Sequence, residues 1–251
     1  MGNVVGIYTV GDEDVRMSLD RNQVEWLRTC ELLTRWLPSP PATVIDVGGG
    51  PGRQARHLLD HGYDVTLYDL VPKHVDQAAA RGVPALVGDA RRLPVGDVTA
   101  DVVLLLGPLY HLPDATDRAS ALTEAVRVLR PGGVAVVAAL SRWGRVLVRA
   151  AAGHLGDPAW HEHTMATMRD GRVVGGDAWD DAAYLHDVRE LETELQAAGL
   201  RQVQVVGVEG PVGAWARRDP ALNGDALEIA RVAETAMAEA SIHLLACGTK
   251  T

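Results

Sequence analysis

Three carboxylates stand at or just beyond the ends of short apolar runs: Asp46 in Thr43-Val44-Ile45-Asp46-Val47, Asp69 after Val65-Thr66-Leu67-Tyr68, and Asp89 after Leu86-Val87-Gly88. Directly after the first run, Gly48, Gly50 and Gly52 alternate with Gly49 and Pro51. Backbone that leaves a strand and passes close beneath a ligand needs residues without a Cβ, which this spacing supplies. A carboxylate at the tip of the following strand can accept from both hydroxyls of a ribose, one on each oxygen. The plain alternatives are a tight strand-to-helix turn without a ligand, a helix-capping Asp69 and a simple loop acid at Asp89. A dinucleotide loop of the G-x-G-x-x-G type is disfavoured, because that register counted from Gly48 places Arg53 at the third glycine.

The elements that must position these residues follow one grammar. Residues 23–37 carry Val24, Leu27, Leu32, Leu33 and Trp36 at near-helical spacing before Pro38, Pro40 and Pro41 stop them. Strands are predicted at 43–47, 64–68, 84–87, 101–106 and 134–140, with helices at 52–61, 73–81 and 116–129 between them and Arg130-Pro131-Gly132-Gly133 as the turn into the fifth strand. Such alternation predicts a parallel sheet with crossover helices. After residues 188–198 (helix), 202–208 (strand) and 226–239 (helix), residues 241–247 close the chain as a strand. The fold class expected is therefore α/β: a seven-stranded doubly wound sheet, mostly parallel with an antiparallel last strand, and a helical lid or insertion after strand five. The expected divisions are an N-terminal arm and helix covering the site (1–40), a cofactor-binding core (41–140), an acceptor-binding insertion rich in Trp and His (141–186) and the C-terminal part of the sheet (187–251). A segment that long after a core strand is usually functional.

The series Asp46-x-Gly48-x-Gly50-x-Gly52, Asp69-Leu70, Asp89-Ala90, the stretch Leu106-Gly107-Pro108-Leu109-Tyr110-His111 and the Arg130–Gly133 turn, in that order at successive strand ends, resembles the class I S-adenosylmethionine-dependent methyltransferases. The resemblance covers nearly the whole chain. It implies S-adenosyl-L-methionine as cofactor and S-adenosyl-L-homocysteine as product. Asp46 then lies near the methionine portion, and Gly48, Gly49 and Gly50 wrap the sulfur and ribose. Asp69 takes the ribose with Leu70 beside the adenine, Asp89 with Ala90 reads the adenine amino group, and Leu106 and Gly107 lie close to the reactive methyl. Arg28, with Arg16 as an alternative, is expected to reach the cofactor carboxylate, and Tyr8 to cover the site as part of a lid. Asp20-Arg21, Glu25, Arg28-Thr29, Ala183-Tyr184-Leu185-His186 and Val208-Glu209-Gly210-Pro211 also look like a bacterial small-molecule branch, the methyltransferase type 11/25-like chains frequent in secondary metabolism.

Methyl transfer from a sulfonium is an in-line displacement whose leaving group needs no help, so alignment and exclusion of water are the main tasks. Where the acceptor must lose a proton, His111 and His186 are the candidate bases, with Tyr110 and Tyr184 lining the pocket. No metal is expected, since His161 and His163 diverge on a helix and lack a third ligand. The acceptor expected is a small molecule, methylated at O, N or C. The alternative is a cofactor-binding protein with a non-methylating or scaffolding role.

The 251 residues are 47% hydrophobic and 23% charged, a composition able to bury a core, and the net charge of -9 lacks the basic field that a nucleic acid would require. No run reaches the roughly 18 apolar residues that span a bilayer, and residues 1–10 lack a basic stretch followed by an apolar one. With only Cys30 and Cys247, a cytoplasmic setting is expected, without membrane or nucleic-acid partners; a homodimer is compatible with the sequence.

Overall fold

The computed structural model describes residue 8 and residues 19–173 and 183–251. Arg16 and Trp179 lie outside the described residues. The chain runs α1 (Gln23–Trp36), β1 (Thr43–Val47), α2 (Arg53–Asp60), β2 (Asp64–Asp69), α3 (Pro72–Ala80), β3 (Ala85–Val87), β4 (Ala100–Leu105), α4 (Ala115–Val128) and β5 (Leu129–Ser141). It continues through α5 (Arg142–Ala151), α6 (Pro158–Asp170), β6 (Leu185–His186), α7 (Val188–Ala197), β7 (Leu200–Gly207), α8 (Gly213–Ala216), α9 (Asn223–Ala233) and β8 (His243–Lys250). The sheet order is β3-β2-β1-β4-β5-β8-β7, and the two-residue β6 pairs off this path with β5. Strands β1 to β5 pair in parallel, whereas β8 runs antiparallel between β5 and β7. The seven expected strands are all present; β6 is an eighth, too short to leave a periodic signal.

The period of two in the strands sends alternate residues to opposite faces, each covered by helices. Val103, Leu105, Val137 and Ala139 pack on one face with Leu122 and Ala125 of α4 and Leu191 and Leu195 of α7. Val102, Leu104, Val136 and Ala138 pack on the other with Leu32 and Leu33 of α1, Ala55 and Leu58 of α2, and Ala78 of α3. The Arg130–Gly133 segment differs from expectation. It does not turn out of the sheet but bulges within β5, the pairing jumping from Ala100↔Leu129 to Val102↔Val134, with Gly132 at φ 79° absorbing the extra residues.

The insertion holds α5 and α6, both capped by side chains: Ser141 accepts the Gly144 N–H, and Asp157 accepts the N–H groups of Ala159 and Trp160. Among the described residues, no helix is long and apolar enough to cross a membrane.

Candidate active site

In an open parallel sheet, ligands bind outside the carboxyl ends of the strands, where the strand order reverses. Here that point lies between β1 and β4, and the loops after them meet there: the carbonyl of Gly48 lies 3.2 Å from where a Cβ on Gly107 would sit. A cleft opens at this edge.

Its floor is the glycine loop. Gly48 (φ 67°) and Gly50 (φ 57°) adopt left-handed backbone, and Gly52 (φ 82°) starts α2 in the same conformation. A Cβ on Gly48 would strike the Pro108 ring at 2.7 Å, while one on Gly50 would meet nothing within 4 Å because it points into the cleft's open space. Asp69, at the end of β2, is tied to that loop: its Oδ2 accepts the Gly50 N–H at 2.9 Å and its Oδ1 the Val71 N–H at 2.8 Å, with His74 Nδ1 at 3.3 Å. Oδ2, with one partner, keeps a further lone pair, whereas Oδ1 is shared between the Val71 N–H and the His74 ring.

Asp46 is fully buried, and neither carboxylate oxygen has a hydrogen-bond partner among the described residues. Burial, with the Asp69 charge adding to it, pushes its carboxyl up to about 7. A buried carboxylate without a donor is costly, and a cationic ligand above it would supply what it lacks. Asp89 differs: Arg91 holds it in a bidentate pair, Nη2 to Oδ2 at 2.6 Å, and this hydrogen bonding keeps the carboxyl below its usual range despite partial burial. Over the cleft, the Tyr8 hydroxyl contacts His111 Nε2 at 2.8 Å, and Tyr8 also meets the His74 ring edge-on at 5.0 Å.

Of the sequence-predicted residues, Tyr8, Asp46, Gly48, Gly49, Gly50, Asp69, Leu70, Asp89, Ala90, Leu106, Gly107, Tyr110 and His111 line the cleft. Three do not. Arg28 lies buried on α1, where its guanidinium pairs with Glu31 and Glu234, both at 2.6 Å, so its charge is spent on α1–α9 packing. His186 is fully buried, with Nε2 3.2 Å from Glu194, because β6 draws it onto β5. Tyr184 packs under the Arg118 guanidinium at 3.6 Å and donates its hydroxyl to Glu190. Burial, together with Glu190, pushes that phenol up to about 12. These two side chains anchor the insertion to the core and do not face the cleft. Conversely, Gln54, Val71 and His74 line the cleft although no sequence signal assigned them a role, Pro108 and Leu112 line it from the stretch after β4, and Glu25, noted only for its family likeness, lines it too.

The residue set suits S-adenosylmethionine: an unpartnered buried carboxylate for positive charge, a strand-tip carboxylate whose Oδ2 keeps a lone pair for the ribose, and a loop whose missing Cβ leaves the space. A family model for a methyltransferase domain matches residues 45–137. An uncharacterized methyltransferase of Mycobacterium tuberculosis is 34% identical over 134 residues, 53% of this chain and 48% of that protein; the chain thus spans about half the length of the first curated relatives it matches. The malonyl-[acyl-carrier protein] O-methyltransferase of Salmonella typhimurium is 30% identical over 195 residues, 65% of this chain and 74% of that protein. A solved structure from Thermotoga maritima, described as an S-adenosylmethionine-dependent methyltransferase and possible histamine N-methyltransferase, superposes with a TM-score of 0.67. At 19% identity, covering 98% of this chain and 99% of that one, it speaks for the fold.

Proposed function

Because the chain belongs to the class I S-adenosylmethionine-dependent methyltransferases, we propose that it transfers the cofactor's methyl group to a small-molecule acceptor, at an O, N or C nucleophile, by in-line displacement. The observation that carries this reading is the pairing of Asp69, fixed by the Gly50 and Val71 N–H groups, with the partnerless Asp46 beneath the same cleft. When bound, the cofactor supplies a methyl group on a positively charged sulfur, already activated for displacement.

The chain's own part is to bind, align and exclude water. Asp69 receives the ribose hydroxyls, Leu70, Asp89 and Ala90 receive the adenine, and the Gly48–Gly50 backbone lies against the ribose and sulfur. Asp46 faces the positive charge of the methionine end. Leu106 and Gly107 border the methyl, Tyr8 closes over the cleft, and Tyr110 and His111 lie on the acceptor side, where the His111 imidazole can take a proton. The insertion at 141–186 selects the acceptor, a secondary metabolite of partly apolar character, in a cytoplasmic protein. Small-molecule methyltransferases among the relatives, such as that for 2-methyl-6-phytyl-1,4-hydroquinone from Synechocystis, support this class of acceptor.

The test is a screen of small-molecule acceptors with methyl-labelled cofactor, reading which product atom carries the label. Label in a small molecule is the expected result. Tight binding of S-adenosylhomocysteine with no transfer to any acceptor would favour the non-methylating, scaffolding reading.

A further inference from the structure

A second titratable cluster lies behind the same cleft and reaches it through one member, Glu25, and neither cofactor binding nor the His111 assignment uses it. β8 runs antiparallel to β5, so its first residue, His243, pairs with Leu140 at the carboxyl end of β5. Glu209, just beyond β7, arrives beside it at the same edge. The Glu209 side chain is buried and fully engaged: Oε2 accepts from the Ser241 hydroxyl and the His243 N–H, both at 2.9 Å, and Oε1 pairs with His243 Nδ1. With Nδ1–H donated to a carboxylate, the imidazole is fixed in one orientation and its Nε2 is left outward. That nitrogen lies 3.9 Å from Oε1 of Glu25, the half-buried α1 carboxylate that lines the cleft.

The charges facing His243 are Glu209, Glu25 and Arg217, whose guanidinium is 3.7 Å from Glu25 and donates to Asn22 at 2.8 Å. Burial pulls the imidazole toward the neutral form, but the two carboxylates outweigh it and raise its pKa. Glu209 shows the reciprocal effect: burial alone would raise its carboxyl, yet His243 brings it down to about 2. Besides the permanent charge of Arg217, the cluster therefore holds one positive charge at His243, between the two carboxylates. Where Glu25 lines the cleft, a negative side chain faces whatever binds beside it, which favours a cation at that point.

Resting on the methyltransferase reading above, we infer that Glu25, backed by the His243–Glu209 pair, is the acceptor subsite and that it takes the nitrogen of an amine. An ammonium group enters against Glu25, and its proton passes to Nε2 of His243, leaving the nitrogen's electron pair free to attack. The imidazolium so formed sits between Glu209 and Glu25. Two carboxylates already balanced in part by Arg217 hold one further cation, not both a protonated His243 and an ammonium, so amine binding expels one proton to solvent. Glu25 is the contacting group, and Glu209 is a positioning residue acting through His243. The same three side chains have ligand atoms within 4.8 Å of one another and could hold a metal ion, although in this structure His243 Nδ1 is paired with Glu209 instead.

Calorimetry separates these outcomes. With S-adenosylhomocysteine present, 2-phenylethylamine and its neutral counterpart 2-phenylethanol are titrated at pH 6.5 in two buffers of different ionisation enthalpy. The parent protein is expected to bind the amine about 10-fold or more tightly than the alcohol, releasing close to one proton per amine. Glu25→Gln should abolish the preference and His243→Gln the proton release, while both variants bind S-adenosylhomocysteine as the parent does. An amine preference that survives Glu25→Gln, or equal binding of amine and alcohol in the parent, overturns the inference while leaving the methyltransferase reading intact. So does loss of S-adenosylhomocysteine affinity in a folded Glu25→Gln, which would make Glu25 a cofactor ligand. Zinc ion titrated alone, bound one to one by the parent and lost in both variants, would replace the amine subsite with a metal site. Failure of the parent to bind S-adenosylhomocysteine at all would instead strike the methyltransferase reading.

Discussion

The Oδ2 oxygen of Asp69 accepts the Gly50 N–H at 2.9 Å, so the tip of β2 and the loop after β1 are one unit. The carboxylate that would hold the ribose also fixes the backbone beneath it. Removing it costs a ligand contact and a loop anchor together, whereas Asp69→Asn keeps one acceptor oxygen. Asp69→Asn should therefore weaken S-adenosylhomocysteine less than Asp69→Ala does, and equal losses by calorimetry would separate the loop from the ligand contact.

Asp46 makes cofactor binding depend on pH. Its carboxyl is pushed up to about 7 by burial and by Asp69, so near neutrality the free protein is a mixture of protonated and ionised forms. A cationic ligand requires the ionised form. Affinity for S-adenosylmethionine should rise as pH rises through 7, by about 10-fold between pH 6 and pH 8 for one linked proton. Stability of the ligand-free protein runs the other way. The folded state holds a proton that the unfolded chain has released above the ordinary carboxyl range, so this group's contribution falls as pH rises from about 4 to about 7. Asp46→Asn should flatten both profiles, and parallel titrations of variant and parent check it.

Gly48 and Gly50 separate packing from ligand space. Both have positive φ, which costs an L-residue about 1 kcal/mol or somewhat more, but only Gly48 also faces the Pro108 ring at 2.7 Å from a Cβ. Gly48→Ala should therefore lower the melting temperature clearly more than Gly50→Ala. Gly50→Ala should stay folded yet lose most of its S-adenosylhomocysteine affinity, because its methyl enters the cleft. Equal melting shifts, or full affinity in Gly50→Ala, would contradict this.

His186 and His111 part company. His186 is wholly buried against Glu194, so His186→Ala should destabilise by about 1 to 3 kcal/mol, several degrees in melting temperature for a chain of this size, with little effect on turnover of the folded fraction. His111 lines the cleft, and His111→Ala should change turnover with little loss of stability. A turnover loss of about 10²-fold in His186→Ala at unchanged stability would restore it as a base.

Much of this was legible in the sequence, for identifiable reasons. β1, β2 and β4 are buried on both faces, so their apolar runs end sharply at Asp46–Gly48, Asp69 and Leu106–Gly107, and the parallel topology brings those ends to one edge. What was not legible depends on distant partners. Arg28 looks like a ligand arginine until Glu234, 206 residues away, is seen to hold it. His186 and Tyr184 have the same chemistry as cleft residues, and only the pairing of β6 with β5 tells them apart. Glu25 and His243 are 218 positions apart on an α-helix and a strand, and meet only because β8 inserts between β5 and β7.

The most direct measurement is calorimetric titration of S-adenosylhomocysteine into the parent protein and into Asp69→Ala. One site per chain is expected in the parent and an affinity lower by about 10-fold or more in the variant, the scale for leaving hydroxyls unpaired in a closed pocket. No binding by the folded parent, or unchanged affinity in a folded Asp69→Ala, would contradict it.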